Sequence, residues 1–238
     1  MSDYTLENKI ALKLPITSIT PFTFQDFPEK TACILWFSGC NFACGYCHNP
    51  ELVRGSLKAL PFERIDSFLK LRMGLLDGVV LCGGECTISP SLPAFIRYLN
   101  GLGFLVKLDT NGSNPAVLKR LIQKNLIDYV ALDYKAPLSK FQQVTGYKKP
   151  QIFFESLQLL RAADIPVEVR TTVHTDLLDE NDINDIIDHL TLLEFKGLYC
   201  IQNFRDGPTL GLLASQRRIL DIDKIKKTTK FRILFRNF

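Results

Sequence analysis

The chain of 238 residues is 46% hydrophobic and 23% charged, the balance of an ordinary globular protein long enough to bury a full core. Its net charge of +4 is mild, and no basic run stands out beyond Lys224 to Lys230, so nucleic-acid binding is not indicated. No apolar run approaches the ~18 residues of a membrane span, and an odd count of seven cysteines, three of them clustered, argues against a secreted disulfide framework.

In chain order, the first residues, MSDYTLENKI, carry neither a basic n-region nor an apolar h-region of a signal peptide. With reduced thiols, this makes a cytoplasmic protein the natural expectation. Residues Ile16 to Phe27 read as an entry segment or hairpin, broken by Pro21 and Pro28. The first core strand is Thr31 to Phe37, which runs straight into a glycine- and cysteine-containing loop. A helix carrying Ile65, Phe68 and Leu69 on one face follows. The second strand, Gly78 to Cys82, ends in Gly83-Gly84-Glu85, and its helix starts near Ser91 with Phe95, Ile96 and Leu99 inward. The third, Phe104 to Leu108, ends in Asp109-Thr110-Asn111-Gly112, and Asn114-Pro115 then opens a helix bearing Val117, Leu118, Leu121 and Ile122.

The fourth strand, Asp128 to Leu132, ends in Asp133-Tyr134-Lys135. After Pro150, the residues Phe153, Phe154, Leu157 and Leu160 mark the next helix. The fifth strand, Val167 to Thr172, contains Arg170. Asp179 then caps a helix with Ile183, Ile186, Ile187 and Leu190 at i, i+3, i+4 and i+7. The sixth strand, Leu198 to Ile201, ends in Gln202-Asn203. From Arg205 on, a helix-like stretch spans about Leu213 to Ile225, before a last apolar run, Phe231 to Phe235. Strand and helix patterns alternate six times, which predicts α/β architecture with parallel strands: an open partial (β/α)6 barrel. The expectation is one domain over 1–238, with a core of about 16–203, a short entry segment and a C-terminal extension over 204–238. Polar or glycine-containing groups fall at or near the C-terminal ends of all six strands, where β/α barrels gather their chemistry.

The most informative stretch is Gly39 to Pro50, GCNFACGYCHNP, in which Cys40, Cys44 and Cys47 are spaced C-x3-C-x2-C with Tyr46 before the last. Four thiolates close an ordinary iron–sulfur cluster or a structural zinc site. Three within eight residues point to a cluster with one iron left for a non-protein ligand; a partial zinc site or three unrelated buried thiols are the plainer alternatives. The loop resembles the signature of the radical S-adenosylmethionine (radical SAM) enzymes. That resemblance implies a [4Fe–4S] cluster whose open iron chelates the methionine moiety of S-adenosylmethionine. The reduced cluster would cleave the sulfonium to a 5′-deoxyadenosyl radical.

Gly83-Gly84-Glu85 alone reads as a turn, but after the second strand it resembles the family's GGE motif, which binds the cofactor's amino group. The family usually has proline next, and this chain has Cys86. Cys33, Cys82, Cys86 and Cys200 read as small buried residues rather than ligands. The stretches Asp109-Thr110-Asn111-Gly112 and Leu132-Asp133-Tyr134-Lys135 resemble those of glycyl-radical-activating enzymes. In such an activator for pyruvate formate-lyase, the equivalents of Asp109, Thr110 and Asp133 lie around a monovalent cation beside the cofactor, and that of Lys135 contacts the cofactor carboxylate. Two carboxylates at neighbouring strand ends would repel unless a cation or a lysine balances them; read plainly, they are caps or turn formers. Arg170 could grip the cofactor carboxylate or ribose, or form a structural ion pair. Gln202 and Asn203 could line the adenosine end, and His48 could bond near the cluster, whereas His174 and His189 read as ordinary polar residues.

The segment from Phe22 to Pro28, with Gln25-Asp26 inside it, together with HNP after the last cysteine, resembles anaerobic ribonucleoside-triphosphate reductase activating proteins. The implied activity is hydrogen abstraction from a backbone glycine of a partner, a glycyl radical enzyme. A flavodoxin- or ferredoxin-type protein would supply the electron. A small-molecule enzyme resembling the 7-carboxy-7-deazaguanine synthases stays open, as does a non-enzymatic iron–sulfur protein. Glu85, Asp109 and Lys135 argue against the last, since a pure carrier needs no groups to grip a cofactor.

Overall fold

The run Ala-Cys-Ile-Leu-Trp-Phe is apolar on both faces, as a strand covered on both sides must be, and it forms β2 (Ala32–Phe37). The computed structural model describes residues 13–238, and the leader reading at the N-terminus lies outside them. The entry segment is β1 (Ile16–Thr23), antiparallel to β2 with bulges that absorb the register shifts. The remaining strands are β3 (Gly78–Gly83), β4 (Leu105–Thr110), β5 (Tyr129–Asp133), β6 (Val167–Val173), β7 (Leu198–Asn203) and β8 (Arg232–Arg236). The sheet order is β1 to β8 in sequence. The six strands expected from the pattern are β2 to β7.

Among the described residues the helices are α1 (Pro50–Arg54), α2 (Phe62–Lys70), α3 (Leu92–Gly101), α4 (Pro115–Gln123), α5 (Phe141–Thr145), α6 (Pro150–Arg161) and α7 (Glu180–Leu192). Their inward faces follow the predicted periodicity: Ile65 and Leu69, then Phe95, Ile96 and Leu99, then Ile183, Ile186, Ile187 and Leu190 are all buried. Asp179 caps α7 in a reciprocal capping box with Asp182. Among the described residues no helix is long and apolar enough to cross a membrane.

By its contacts the chain divides into two compact units. The first comprises residues up to Cys40, Glu51–Asp109 and Ala116–Tyr129. In it β2, β3 and β4 pair in parallel, Ala32 opposite Gly78 and Gly78 opposite Leu105. The second comprises Asn41–Pro50, Thr110–Pro115 and Val130–Phe238. In it β5 to β8 pair in parallel, Asp133 opposite Arg170 and Gln202 opposite both Thr172 and Arg236.

The C-terminal extension departs from the pattern reading. No α-helix forms over 213–225; only a short 3-10 turn, Ile222–Lys224, occurs there. The backbone of that stretch is tied to the loop and helix after β6 instead. Ala214 O accepts from the His174 ring, Gln216 Oε1 from Thr175 N, and Arg218 O from the Thr175 hydroxyl, while Arg218 forks onto Glu180. The last apolar run becomes β8, docked on β7 and pinned by a two-pronged contact of Arg236 with buried Glu168.

Candidate functional site

In the first unit, β2 gives way to the cysteine loop at Gly39 and Cys40. Gly39 takes a left-handed φ of +91°, which glycine adopts without a steric cost. Its amide donates to Leu52 O at 2.6 Å and that of Cys40 to Val53 O at 3.3 Å, so α1 holds the start of the loop. The end of β3 lies against the same backbone. Gly84 N donates to Phe37 O and Glu85 N to Gly39 O, each at 2.8 Å. A Cβ on Gly84 would stand 2.0 Å from Gly39 O, and one on Gly83 would stand 2.3 Å from Phe37 O. Two glycines here are a requirement of close approach between two main chains.

Glu85 is 1% exposed. Its Oε1 accepts from Thr87 N at 3.0 Å and from the Thr87 hydroxyl at 2.5 Å, capping the 3-10 turn Cys86–Ile88. Cys86 fills the first position of that turn. Burial pushes the Cys86 thiol well up, and it donates to Cys82 O at 3.6 Å. Burial likewise raises Cys33 to about 12. At the end of β4, Asp109 accepts from Lys107 Nζ at 2.6 Å.

In the second unit, the rest of the cysteine loop is fixed from two directions. Ala43 N donates to Thr145 O at 2.8 Å, and Phe42 packs on Phe141 and Tyr147. From the C-terminal extension, Leu210 N donates to Cys47 O at 2.9 Å and Gly211 N to Gly45 O at 2.8 Å. His48 stacks on Phe204, with its Nδ1 3.4 Å from Pro208 O. Asn111 Nδ2 reaches Asn41 Oδ1 at 3.0 Å, and Thr110 Oγ1 accepts from Gly112 N, so the loop after β4 is pinned to the cysteine loop.

Tyr46 is 4% exposed, and its hydroxyl oxygen is buried without a hydrogen-bond partner among the described residues. Lys135 Nζ sits 5.8 Å from the centre of the Tyr46 ring, within cation–π range. Asp133 takes Lys135 on Oδ2 at 3.0 Å and Arg170 Nε on Oδ1 at 2.9 Å. Burial pushes the Asp133 carboxyl up, but the charges of Arg170 and Lys135 outweigh it and hold it at about 2. Desolvation acts to lower Lys135, and Asp133, Tyr46 and Cys44 reverse that, leaving it well above the usual lysine value.

The second unit thus brings Tyr46, Asp133, Lys135 and Arg170 together, and the first packs Gly83-Gly84-Glu85 on the residues leading into Cys40. Gln202 is half-buried at the end of β7. Asn203 is bound to the tail through Asn237 O and Gln216. His174 and His189 bond Ala214 O and the Tyr134 hydroxyl, in keeping with ordinary polar roles. Sequence reasoning passed over Lys107 and the grip of the tail on the loop. The first was visible as a lysine interrupting an apolar strand run two residues before an aspartate; the second leaves no local pattern.

A profile of the Radical SAM superfamily matches residues 34–193. A Methanocaldococcus jannaschii protein with the provisional name glycyl-radical enzyme activating enzyme is 32% identical over 199 residues, 81% of this chain and 81% of that protein. A 7-carboxy-7-deazaguanine synthase of Neisseria meningitidis is 34% identical over 97 residues, 41% of this chain and 40% of that enzyme. Among solved structures, Streptococcus suis SuiB bound to S-adenosylmethionine matches with a TM-score of 0.64 at 13% identity, over 86% of this chain and 52% of SuiB. The enzyme anSMEcpe with bound AdoMet matches at 0.59 and 19%, over 71% of this chain and 49% of the other. This chain spans about half the length of those two proteins, and their likeness to it is one of fold: the partial barrel. The profile covers well over half of the sequence, and the chain belongs to the radical SAM superfamily, whose enzymes work with a [4Fe–4S] cluster and S-adenosylmethionine.

Proposed function

We propose that this protein activates a glycyl radical enzyme, an anaerobic ribonucleotide reductase, by removing one hydrogen atom from a glycine of that partner in the cytoplasm. One observation carries the reading. The likeness to the M. jannaschii protein runs over 81% of both chains, whereas that to the deazaguanine synthase stops at 41% of this one.

The residues present fit the two groups. Cys40, Cys44 and Cys47 offer three soft thiolate donors within one loop. Among the described residues no three His, Cys, Asp or Glu side chains close on a single ion. A cubane's ligands bind different irons and stand apart by the cluster's width, so a single-ion cage is not the arrangement required. The buried, unpartnered Tyr46 hydroxyl is a group that a ligand would satisfy.

When bound, the cluster and cofactor would supply one-electron cleavage of the sulfonium to methionine and a 5′-deoxyadenosyl radical able to take hydrogen from the glycine Cα, with the electron coming from a flavodoxin- or ferredoxin-type donor. The chain's own groups bind and orient. By the family resemblance, Glu85 would pair with the amino group of the methionine moiety and Lys135 with its carboxylate, as charge-assisted bonds. Asp133 holds Lys135 and Arg170 in place through the two contacts described above. Asp109, Thr110 and Asn111 set the loop after β4, and Gln202, half-buried at the end of β7, would line the adenosine end.

The test is electron paramagnetic resonance. The reduced protein with S-adenosylmethionine should form 5′-deoxyadenosine slowly alone and faster with its partner, which then shows a glycyl-radical doublet. Changing the partner's radical glycine to alanine should abolish the doublet. If a small metabolite alone drives rapid turnover and no protein radical remains, activation is the wrong reading.

A further inference from the structure

β4 reads Leu-Val-Lys-Leu-Asp-Thr, so Leu105, Lys107 and Asp109 share one face. Lys107 is 2% exposed and Asp109 8%. A buried ammonium is costly unless it is paired. The surroundings are apolar: Leu105 and Tyr129 pack on the cluster of Phe27, Ala32, Ile34 and Val80. Beside it, Lys107 Nζ donates to Asp109 Oδ1 at 2.6 Å and stands 5.7 Å from the centre of the Tyr129 ring. The strand therefore carries its own cation, fixed two residues before the carboxylate it serves.

We propose that Lys107 is a built-in counter-ion for Asp109, filling the charge role expected above of a monovalent metal ion, so that S-adenosylmethionine binds without any alkali metal. The inference rests on the radical SAM reading and on Asp109 belonging to the cofactor site. Lys107 is a positioning residue. The ammonium is tethered by the strand, so it holds the Asp109 carboxylate in place at 2.6 Å whatever cations the solution holds. Asp133 is treated alike, with Lys135 and Arg170 on its two oxygens. Neither carboxylate depends on a cation from solvent.

The test measures S-adenosylmethionine affinity of the cluster-loaded protein by anaerobic equilibrium dialysis. Buffers of equal ionic strength contain tetramethylammonium, sodium or potassium as the sole monovalent cation. Wild-type affinity should agree within about twofold across all three. Lys107→Met should bind about tenfold more weakly in tetramethylammonium, a loss of one charge-assisted contact, and recover in sodium or potassium. Lys107→Arg should keep the wild-type indifference. Alkali-dependent binding by the wild type overturns the proposal. So does Lys107→Met that binds normally in tetramethylammonium, or weakly in every buffer, the sign of a merely structural role. Should Lys107→Met fail to fold, the wild-type series decides alone. A wild type that binds no cofactor in any buffer would instead strike the radical SAM reading of the site.

Discussion

Replacing Gly84 by alanine tests the contact between the end of β3 and the start of the cysteine loop. The new Cβ would lie 2.0 Å from Gly39 O and 2.6 Å from Gly39 C, both main-chain atoms with no rotamer to yield. Reaching an ordinary contact of about 3.4 Å requires the two backbones to part by more than an ångström. That displacement breaks Gly84 N–Phe37 O and Glu85 N–Gly39 O, both 2.8 Å in the intact protein. Two buried bonds at about 1 kcal/mol each, with a further penalty for groups left unpaired, put the loss at about 2–4 kcal/mol. With a urea slope of about 3 kcal/mol/M, the unfolding midpoint should fall by about 1 M. The measurement is anaerobic urea unfolding of the reconstituted protein by circular dichroism, with cluster absorbance recorded in parallel. Gly101→Ala is the control. Nothing lies within 4 Å of its added Cβ, and it closes α3, so it should be neutral or stabilising by up to ~1 kcal/mol. A Gly84→Ala midpoint within about 0.2 M of the parent would refute the argument.

Alanine at Cys40, Cys44 or Cys47 should abolish iron and sulfide retention after anaerobic reconstitution. Cys33→Ala and Cys200→Ala should retain both, because burial raises those thiols to about 12 and about 11. Glu85→Gln keeps an oxygen for the Thr87 cap but loses its charge, so cluster content should hold while S-adenosylmethionine affinity drops about tenfold in dialysis. Tyr46→Phe removes a buried, unpartnered hydroxyl, so the cofactor-free protein should gain about 1 kcal/mol in urea unfolding while cofactor affinity falls by a similar amount; effects of equal sign would contradict a ligand-directed hydroxyl. The Asp133 carboxyl sits at about 2, below its ordinary 3.8, so its ion pairs contribute about 2 kcal/mol above pH 4, lost as pH falls through 2. Stability against pH should lose that step in Asp133→Asn.

Much of this molecule was legible in its sequence. Strands such as Val-Val-Leu and the 3.6-residue stripe on α7 declare themselves, because burial on a regular element imposes a period. The three cysteines are legible for another reason: their chemistry demands a short, fixed spacing. What escaped depends on contacts far apart in the chain. The stretch after Leu213 has helical spacing, yet its polar groups bond the segment from His174 to Glu180, and those bonds hold it out of a helix. The five residues of α5 are too few to show a period, although they position Thr145 to bond Ala43. Arg170 read first as a ligand-gripping group and nearly as well as an ion pair, and the register of β5 against β6, Asp133 opposite Arg170, brings out the pair.

The bonds from Leu210 and Gly211 to the carbonyls of Cys47 and Gly45 also set an order of events during synthesis. These donors lie roughly 160 residues beyond the loop, and at about 5–20 residues per second the ribosome needs on the order of ten seconds or more to reach them. Through that interval the loop's own turn can form, since Cys47 N needs only Cys44 O, but two of its carbonyls have no main-chain partner yet. Iron delivered early would meet a loop still short of its final shape. A chain broken off before residue 210 would never complete it. The last main-chain bonds of the loop thus become available only after β2 to β7 have been synthesised.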